Sequence, residues 1–315
     1  MSPQLALPFR VAPKRLQKAG YASIRRYGTV TARFRPLPDF IIIGAKRTGT
    51  TTLYRALEEH PGTKPMMPRF AKLKSPHYHD LHYDESVDWY RGHFPIRRRG
   101  DTSVRGEGNP YCLVHPLAPR RVFETSPEVT LLVCLRDPAE RALSHHWDRV
   151  REGIETLSLE DAVAAEPERI AGLSEALERG DLTASDAFEH FSYITRGHYA
   201  EQLERWLEYF PPEQLIALRS EDLYTSGQAV VDRIYTSLGL APHTPKLGRH
   251  HQRADRPPLD AAARDLLTPL FEESNRRLAE LLGTPLWWDA SGATDLDGVG
   301  VASPAPRRAV AATRP

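Results

Sequence analysis

The stretch DFIIIGAKRTGTTTLYRALEEHPG (residues 39–62) predicts a strand, a loop and a helix in succession. The run FIIIG, which begins at Phe40, is typical of a strand buried on both faces of a parallel sheet. The segment that follows has apolar residues at helical spacing, namely Leu53, Ala56 and Leu57. The stretch therefore predicts one strand–loop–helix unit of an α/β domain.

The loop of this unit has the glycine spacing of a phosphate-binding loop but a different placement of its cations. Gly44 and Gly49 match the pattern G-x-x-x-x-G-K-[ST], yet Thr50 stands at the lysine position, and the cations come earlier, at Lys46 and Arg47. Backbone N–H groups and the positive end of the next helix form a nest for an anion. The candidate anion-binding residues are Lys46, Arg47, Thr48, Gly49, Thr50, Thr51 and Thr52.

A second informative loop follows the apolar run VTLLVCL (residues 129–135). In LRDPAERALSHHW (residues 135–147), Asp137 is a good helix N-cap and is followed by a proline at the first helical position. Arg136 ends the strand and Ser144 lies two turns into the helix, so a guanidinium and a hydroxyl can converge on one phosphate. The alternative is that Arg136 pairs with a neighbouring carboxylate and Ser144 faces solvent.

Short apolar runs alternate with helical patterns along most of the remaining chain. This alternation predicts an α/β protein with a three-layer, P-loop-like fold, in which helices flank a central parallel sheet. Ligands of such sheets bind outside the carboxyl ends of the strands. Because both loops leave strands at that edge, we expect them to form one site.

Composition limits the classes of function. The chain has 315 residues, 40% of them hydrophobic, which is enough for a sizeable core. A formal net charge of +1 does not indicate nucleic-acid binding. The two cysteines, Cys112 and Cys134, have no metal-binding spacing, and no apolar run approaches the ~20 residues of a membrane helix. These features predict a cytoplasmic protein and give no sign of a metal or of a nucleic-acid partner.

The two ends of the chain differ from its middle. Residues 1–38 contain eight basic residues and no acidic one, which predicts a basic N-terminal arm. One interpretation is an arm that packs loosely on the domain. The other is an arm that contacts an anionic substrate, or anionic lipid in a peripheral membrane contact. Residues 289–315 have no apolar periodicity and are predicted to be a disordered tail. The intervening residues 39–288 form the predicted domain; the sequence does not indicate its oligomeric state.

Together the two loops resemble those of the sulfotransferase family, especially the heparan-sulfate-type enzymes and their bacterial relatives. The resemblance continues in KSPHYHD (residues 74–80), GEGNPYCLVHP (residues 106–116) and RGHYAEQLERWLEYFPPEQLIALRSEDL (residues 196–223). These segments keep a consistent order between residues 39 and 288. We therefore expect residues 39–288 to be a sulfotransferase domain.

The resemblance implies a donor, 3′-phosphoadenosine 5′-phosphosulfate (PAPS), which is released as 3′-phosphoadenosine 5′-phosphate, and no metal. In the family, a unit like residues 44–52 holds the 5′-phosphosulfate, and a segment like residues 136–144, which includes Arg136 and Ser144, binds the 3′-phosphate. Arg196 is similar to a position near the cofactor. Arg253 and Arg256 lie in a basic segment that resembles the loop closing over the adenosine phosphates.

A cation beside the bridging oxygen stabilises the charge that grows on the leaving phosphate. The family usually has lysine at the position of Arg47, and Lys46 stands one residue earlier. Arg47 is thus the positional match for the catalytic cation, with Lys46 assisting. Lys74 is a candidate for contact with the sulfonate oxygens and the acceptor.

The acceptor needs a general base, because a hydroxyl is a poor nucleophile near neutral pH. Heparan-type enzymes often have a glutamate two residues before a histidine, in K-E-x-H-F-F-D, but this chain has Ser75 there. The candidates are then His77 and Glu107, with His79 and Asp80 as further choices. Glu107 has the alternative role of orienting a lysine or a histidine.

The predicted function is the transfer of a sulfuryl group from PAPS to a hydroxyl, or as second choice an amine, of a saccharide, glycolipid or small metabolite. One alternative is a P-loop kinase or other nucleotide-binding protein, which Thr50 at the lysine position disfavours. Another is a PAPS-binding protein with impaired catalysis, since Ser75 replaces the usual base.

Overall fold

Five parallel strands form the central sheet in a computed structural model that describes residues 14–68, 73–246 and 258–288, with side chains from residue 22 onward. The strands are β1 (Phe40–Gly44), β2 (Thr63–Lys64), β3 (Val104–Gly108), β4 (Thr130–Leu135) and β5 (Leu215–Arg219). They lie in the order β2-β3-β1-β4-β5, and every neighbouring pair is parallel. The predicted central parallel sheet is thus confirmed.

Helices flank this sheet within the described residues. Along the chain they are α1 (Lys14–Val30), α2 (Thr50–Glu59), α3 (Val87–Arg91), α4 (Ala118–Thr125), α5 (Pro138–Arg151), α6 (Leu159–Arg169), α7 (Leu173–Arg179), α8 (Asp186–Phe191), α9 (Tyr199–Leu207), α10 (Asp222–Thr225), α11 (Gly227–Ser237), α12 (Ala261–Leu267) and α13 (Glu272–Leu282). Short 3-10 turns occupy Ala32–Phe34, Thr195–Gly197, Pro212–Gln214 and Thr268–Phe271. Residues 155–193, which separate α5 from the turn at Thr195–Gly197, contain α6, α7 and α8.

The core lies on both faces of the sheet, because alternate residues of a strand point to opposite faces. Ile41 and Ile43 of β1 belong to one buried cluster with Trp206 of α9. Phe40 and Ile42 belong to a second cluster with side chains from α2 and α11, namely Leu53, Leu57, Val231 and Ile234. Two cores on opposite faces of one sheet define the predicted three-layer fold.

Strand β3 lies beside β1 although its sequence, VRGEG, has little β-propensity. All five of its residues are buried. Gly106 allows the ring of Phe40 to pack against the strand, because a Cβ at residue 106 would lie 2.4 Å from two ring atoms. Glycine here permits close approach, and the strand brings Glu107 into the interior.

The described part of the basic arm is helical and packs on the domain. Gly28 of α1 approaches Gly92 so closely that a Cβ at residue 28 would lie 2.6 Å from the Gly92 carbonyl oxygen. The buried Arg35 side chain donates to Phe94 O and, at 2.8 Å, to Thr31 Oγ1. Helix α1 is thereby held next to α3.

Some sequence predictions fall outside the described residues. They include the structure of residues 289–315 and the positions of Arg253 and Arg256. Within the described ranges, no helix is both long and apolar enough to span a bilayer.

Candidate active site

The first loop joins β1 to α2 at the carboxyl edge of the sheet. Gly49 is the N-cap of α2 and has φ 88°, a left-handed conformation that favours glycine. Thr50 and Thr51 begin the helix, so their backbone N–H groups lie at its positive end. Thr48 is buried and its hydroxyl donates to Ala45 O at 2.8 Å, which stabilises the loop.

The second loop leaves the adjacent strand, β4, and meets the first. Asp137 caps α5 as predicted, because its Oδ1 accepts from Ala139 N–H at 2.8 Å. Arg136 donates to Glu140 Oε2 at 2.6 Å. On α5, Ser144 Oγ accepts from Arg47 Nε at 3.3 Å. The structure therefore joins the two loops through a direct contact between Arg47 and Ser144.

Lys74 reaches the first loop from the segment that precedes His77. Its Nζ donates to Thr51 Oγ1 at 3.3 Å and to Thr50 Oγ1 at 3.4 Å. The aliphatic part of Lys74 crosses Gly108 of β3, where a Cβ would lie 3.1 Å from Lys74 Cγ. Burial, and then the charge of Arg55, lower the pKa of Lys74 to about 8. A bound anion would favour the protonated form of this lysine.

Lys46 points to another part of the site. Its ammonium pairs with the Glu189 carboxylate on α8 and donates to Glu189 O at 3.3 Å. The other Glu189 oxygen accepts from Arg196 at 3.1 Å. The buried Arg196 guanidinium lies 4.7 Å from the centre of the Tyr111 ring. Burial, then the charge of Arg196, lower the pKa of Lys46 to about 8, against the opposing effect of Glu189.

His77 forms a hydrogen-bonded pair with Asp80. The His77 side chain is 44% exposed, whereas that of Asp80 is 1% exposed, and His77 Nδ1 lies 2.9 Å from Asp80 Oδ2. Asn109 Nδ2 donates to the other Asp80 oxygen at 2.9 Å. Burial alone would lower the pKa of His77, but the hydrogen bond and charge of Asp80 raise it. With Nδ1 donating to Asp80, Nε2 is the ring nitrogen that accepts a proton.

Glu107 lies below this pair and is fully buried. Its carboxylate accepts from Ser75 Oγ at 3.0 Å and from Tyr90 OH at 2.9 Å. Ser75 Oγ in turn accepts from the backbone N–H of His77 at 2.8 Å. The contacts of Glu107 thus match its alternative role, in which it orients the histidine segment. His79 is fully buried as well, with Nε2 2.9 Å from Thr125 Oγ1.

The structure brings most of the sequence-predicted residues to one edge of the sheet and adds three others. Asp148, Glu189 and Asn109 contact Arg47, Lys46 and Asp80 respectively. Asp148 lies one helical turn after Ser144, which is the only signal in the sequence that could have indicated it. Glu189 comes from a polar segment with no recognisable motif. In the described part of the chain, no three or more His, Cys, Asp or Glu side chains are grouped to hold a metal ion.

Comparison with known proteins identifies the family. A family model described as a sulfotransferase domain matches residues 37–254. The chain belongs to this family. The prediction of a sulfotransferase is thereby confirmed for the family and the enzyme class, and the heparan-sulfate-type resemblance is supported by the relatives below.

Two human relatives and one solved structure are among those that resemble the chain. Human bifunctional heparan sulfate N-deacetylase/N-sulfotransferase 3 is 29% identical over 283 residues, covering 79% of this chain and 31% of the relative. Human heparan sulfate glucosamine 3-O-sulfotransferase 3B1 is 32% identical over 206 residues, covering 65% of this chain and 47% of the relative. The crystal structure of a sulfotransferase from Alicyclobacillus acidocaldarius has a TM-score of 0.64 and 25% identity, covering 80% of this chain and 98% of that one. The chain thus spans less than half of either human relative.

Proposed function

We propose that this protein transfers a sulfuryl group from PAPS to a hydroxyl of a saccharide or glycolipid. The observation that carries the proposal is the contact between Arg47 of the first loop and Ser144 of the second. It joins the end of β1 to the end of β4, so one anionic donor with two phosphate groups can contact both loops. The family assignment supports the same donor.

The chemistry of the side chains fits PAPS. Lys46, Arg47, Lys74 and Arg136 supply positive charge, and the loop hydroxyls and the N-terminus of α2 supply hydrogen-bond donors. We assign Arg136 and Ser144 to the 3′-phosphate. We assign the loop residues to the 5′-phosphosulfate, with Thr48 acting through the loop backbone. When bound, PAPS supplies an activated sulfuryl group whose leaving group is a phosphate.

His77 is the general base in this proposal. Nε2 of His77 takes the proton of the acceptor hydroxyl, while Asp80 stabilises the imidazolium that forms. Glu107 holds the turn through Ser75, which explains why serine can stand at the position of the usual glutamate. Lys74 and Arg47 stabilise the negative charge on the sulfonate and the leaving phosphate. A saccharide acceptor is supported by the two human relatives, which are heparan sulfate sulfotransferases.

Calorimetric titration with 3′-phosphoadenosine 5′-phosphate tests the donor, with ATP as the comparison ligand and each titration run with and without Mg²⁺. We expect metal-independent binding of the bisphosphate. Arg136→Ala should weaken it about 10-fold to 150-fold, since a hydrogen bond to a charged group contributes about 1.5–3 kcal/mol. Arg179→Ala, at an exposed arginine on α7, is the matched control. Mg²⁺-dependent ATP binding without bisphosphate binding would instead favour a kinase. Bisphosphate binding without sulfation of any acceptor would favour the impaired binding protein.

We also infer contact between one surface and an anionic membrane. The surface, here named the basic face, combines exposed apolar side chains with exposed arginines. It consists of Tyr27, Val30, Phe34 and Ile96, which are 57%, 74%, 50% and 36% exposed, together with Arg25, Arg26, Arg33, Arg98 and Arg99. Arg97 N–H donates to Phe34 O at 2.9 Å, which joins its two segments.

A further inference from the structure

Arg47 contacts two residues on one face of α5. Its Nε donates to Ser144 Oγ at 3.3 Å, and its Nη1 lies 3.2 Å from Asp148 Oδ2. Ser144 and Asp148 are four residues apart, so they lie one above the other on the helix. Arg47 itself has φ 75°, a left-handed conformation that is uncommon for a residue with a side chain. The loop backbone and α5 together therefore determine where this guanidinium lies.

Asp148 is itself held in place. Its side chain is 7% exposed, and its oxygens accept from Arg149 Nη2 at 2.9 Å and from Arg151 Nη2 at 3.4 Å. Burial alone would raise the pKa of Asp148, but the charge of Arg47 and the hydrogen bond from Arg149 lower it, so the side chain stays ionised. Three arginines, Arg47, Arg149 and Arg151, share this one carboxylate. Asp148 can therefore hold Arg47 in place while the three arginines and the carboxylate together keep a positive charge.

The two cations of the first loop have different carboxylate partners. Lys46 pairs with Glu189 of α8, whereas Arg47 pairs with Asp148 of α5. Helix α5 also carries Ser144, which we assign to the donor nucleotide. Of the two cations, Arg47 is thus the one that lies between the loop assigned to the 5′-phosphosulfate and the serine assigned to the 3′-phosphate.

We propose that Asp148 is a positioning residue that directs Arg47 toward the phosphosulfate, and that this pairing is the reason for arginine at position 47. The inference rests on the proposed function. A guanidinium has five N–H groups, so it can keep its contacts with Ser144 and Asp148 while it donates a further hydrogen bond to an oxygen of PAPS. A lysine has a single nitrogen and would have to divide three protons among the same acceptors.

A double-mutant cycle tests the proposal by calorimetric titration of 3′-phosphoadenosine 5′-phosphate into wild type, Asp148→Asn, Arg47→Lys and the double variant. We expect each single substitution to weaken binding about threefold to tenfold, and the double variant to bind no more weakly than the weaker single one. Glu152→Gln is the matched control, because Glu152 also accepts from Arg149 at 2.9 Å. It should bind within about twofold of wild type.

Several outcomes would overturn the proposal. They are single effects that multiply in the double variant, an Asp148→Asn affinity equal to wild type, and a Glu152→Gln loss as large as that of Asp148→Asn. If Asp148→Asn lowers the melting temperature enough to prevent titration, Asp148→Glu keeps the charge but moves it by one methylene, and the same lack of additivity with Arg47→Lys is expected. Wild-type protein that does not bind the bisphosphate would contradict the proposed function itself, whereas binding with multiplicative effects contradicts only this inference.

Discussion

At the scale of single residues, His77 depends on two partners within its own segment and on one from a distant part of the chain. Asp80 orients its ring, Asn109 holds Asp80, and Ser75 holds the His77 backbone. The raised pKa of His77 means that its proton is released at higher pH than from an ordinary histidine. A base that is half exposed and hydrogen-bonded to a buried carboxylate is suited to removing a hydroxyl proton.

We predict that Asp80→Asn shifts the titration of His77 to lower pH. The substitution removes the charge and hydrogen bond that raise its pKa, while burial, which lowers it, remains. The imidazole Cε1–H resonance, assigned with His77→Gln, measures the shift by NMR. The pH dependence of activity follows from this shift, because only the neutral imidazole can act as a base. The turnover rate should rise with pH through the His77 pKa, and in Asp80→Asn that rise should occur at lower pH.

His77→Gln should lower the turnover rate about 100-fold or more, if a saccharide acceptor is sulfated. His82→Gln, at an exposed histidine of the same segment, is the control and should keep the wild-type rate. A His77 resonance that titrates identically in wild type and Asp80→Asn would contradict the role of Asp80.

At the scale of elements, β3 shows how a strand can form against its own propensity. The neighbouring strands β1 and β2 supply its hydrogen bonds, and glycine at residue 106 makes room for the Phe40 ring. The order β2-β3-β1 places Glu107 beside β1 and under the His77 segment. A strand with low intrinsic propensity is thus stabilised because its partner and its buried contacts outweigh that propensity.

We predict that Gly106→Ala destabilises the fold by about 1–3 kcal/mol, the usual cost of overpacking a core. The added Cβ would meet the Phe40 ring, which is itself buried. Urea denaturation of the variant measures the free energy of unfolding. In a Phe40→Leu background the same substitution should cost less, because the smaller side chain relieves the clash. Strictly additive costs of the two substitutions would show that the ring is not the obstacle.

At the scale of the whole molecule, the basic arm packs on the domain next to an arginine-rich segment. Helix α1 packs on α3 through Gly28 and Gly92, and the turn after α1 contacts the arginine-rich segment at residues 97–99. Exposed aromatic and aliphatic side chains beside arginines are typical of surfaces that contact lipid headgroups. A purely ionic contact with a saccharide would not require the exposed apolar residues.

We predict that, in a vesicle flotation assay, the protein binds vesicles of phosphatidylcholine and phosphatidylserine. It should bind vesicles of phosphatidylcholine alone more weakly. Arg98→Gln combined with Arg99→Gln should weaken this binding about 30-fold, at about 1 kcal/mol for each arginine near an anionic surface. Val30→Ser with Phe34→Ser should weaken it as well, and added salt should reduce it. Leu270→Ser is the control, since Leu270 is 43% exposed but is not part of the basic face. Retention on heparin without flotation would point to a saccharide partner of the basic face.

The sequence by itself determined the features that local patterns encode. The runs at residues 40–44 and 130–135 are buried strands, and Asp137 caps α5. Each depends on neighbouring residues, so hydrophobic runs and capping preferences suffice to predict it. The same patterns predicted that the loops after residues 44 and 135 leave one edge of a parallel sheet.

Only the tertiary structure decided how the charged side chains divide their contacts. Lys46 pairs with a glutamate 143 residues away and Arg47 with an aspartate on α5, although the two cations are adjacent in sequence. Glu107 is buried because β3 inserts beside β1, and β3 itself has no strand pattern. These arrangements depend on which distant elements pack together, and neighbouring residues in the chain carry no information about such contacts.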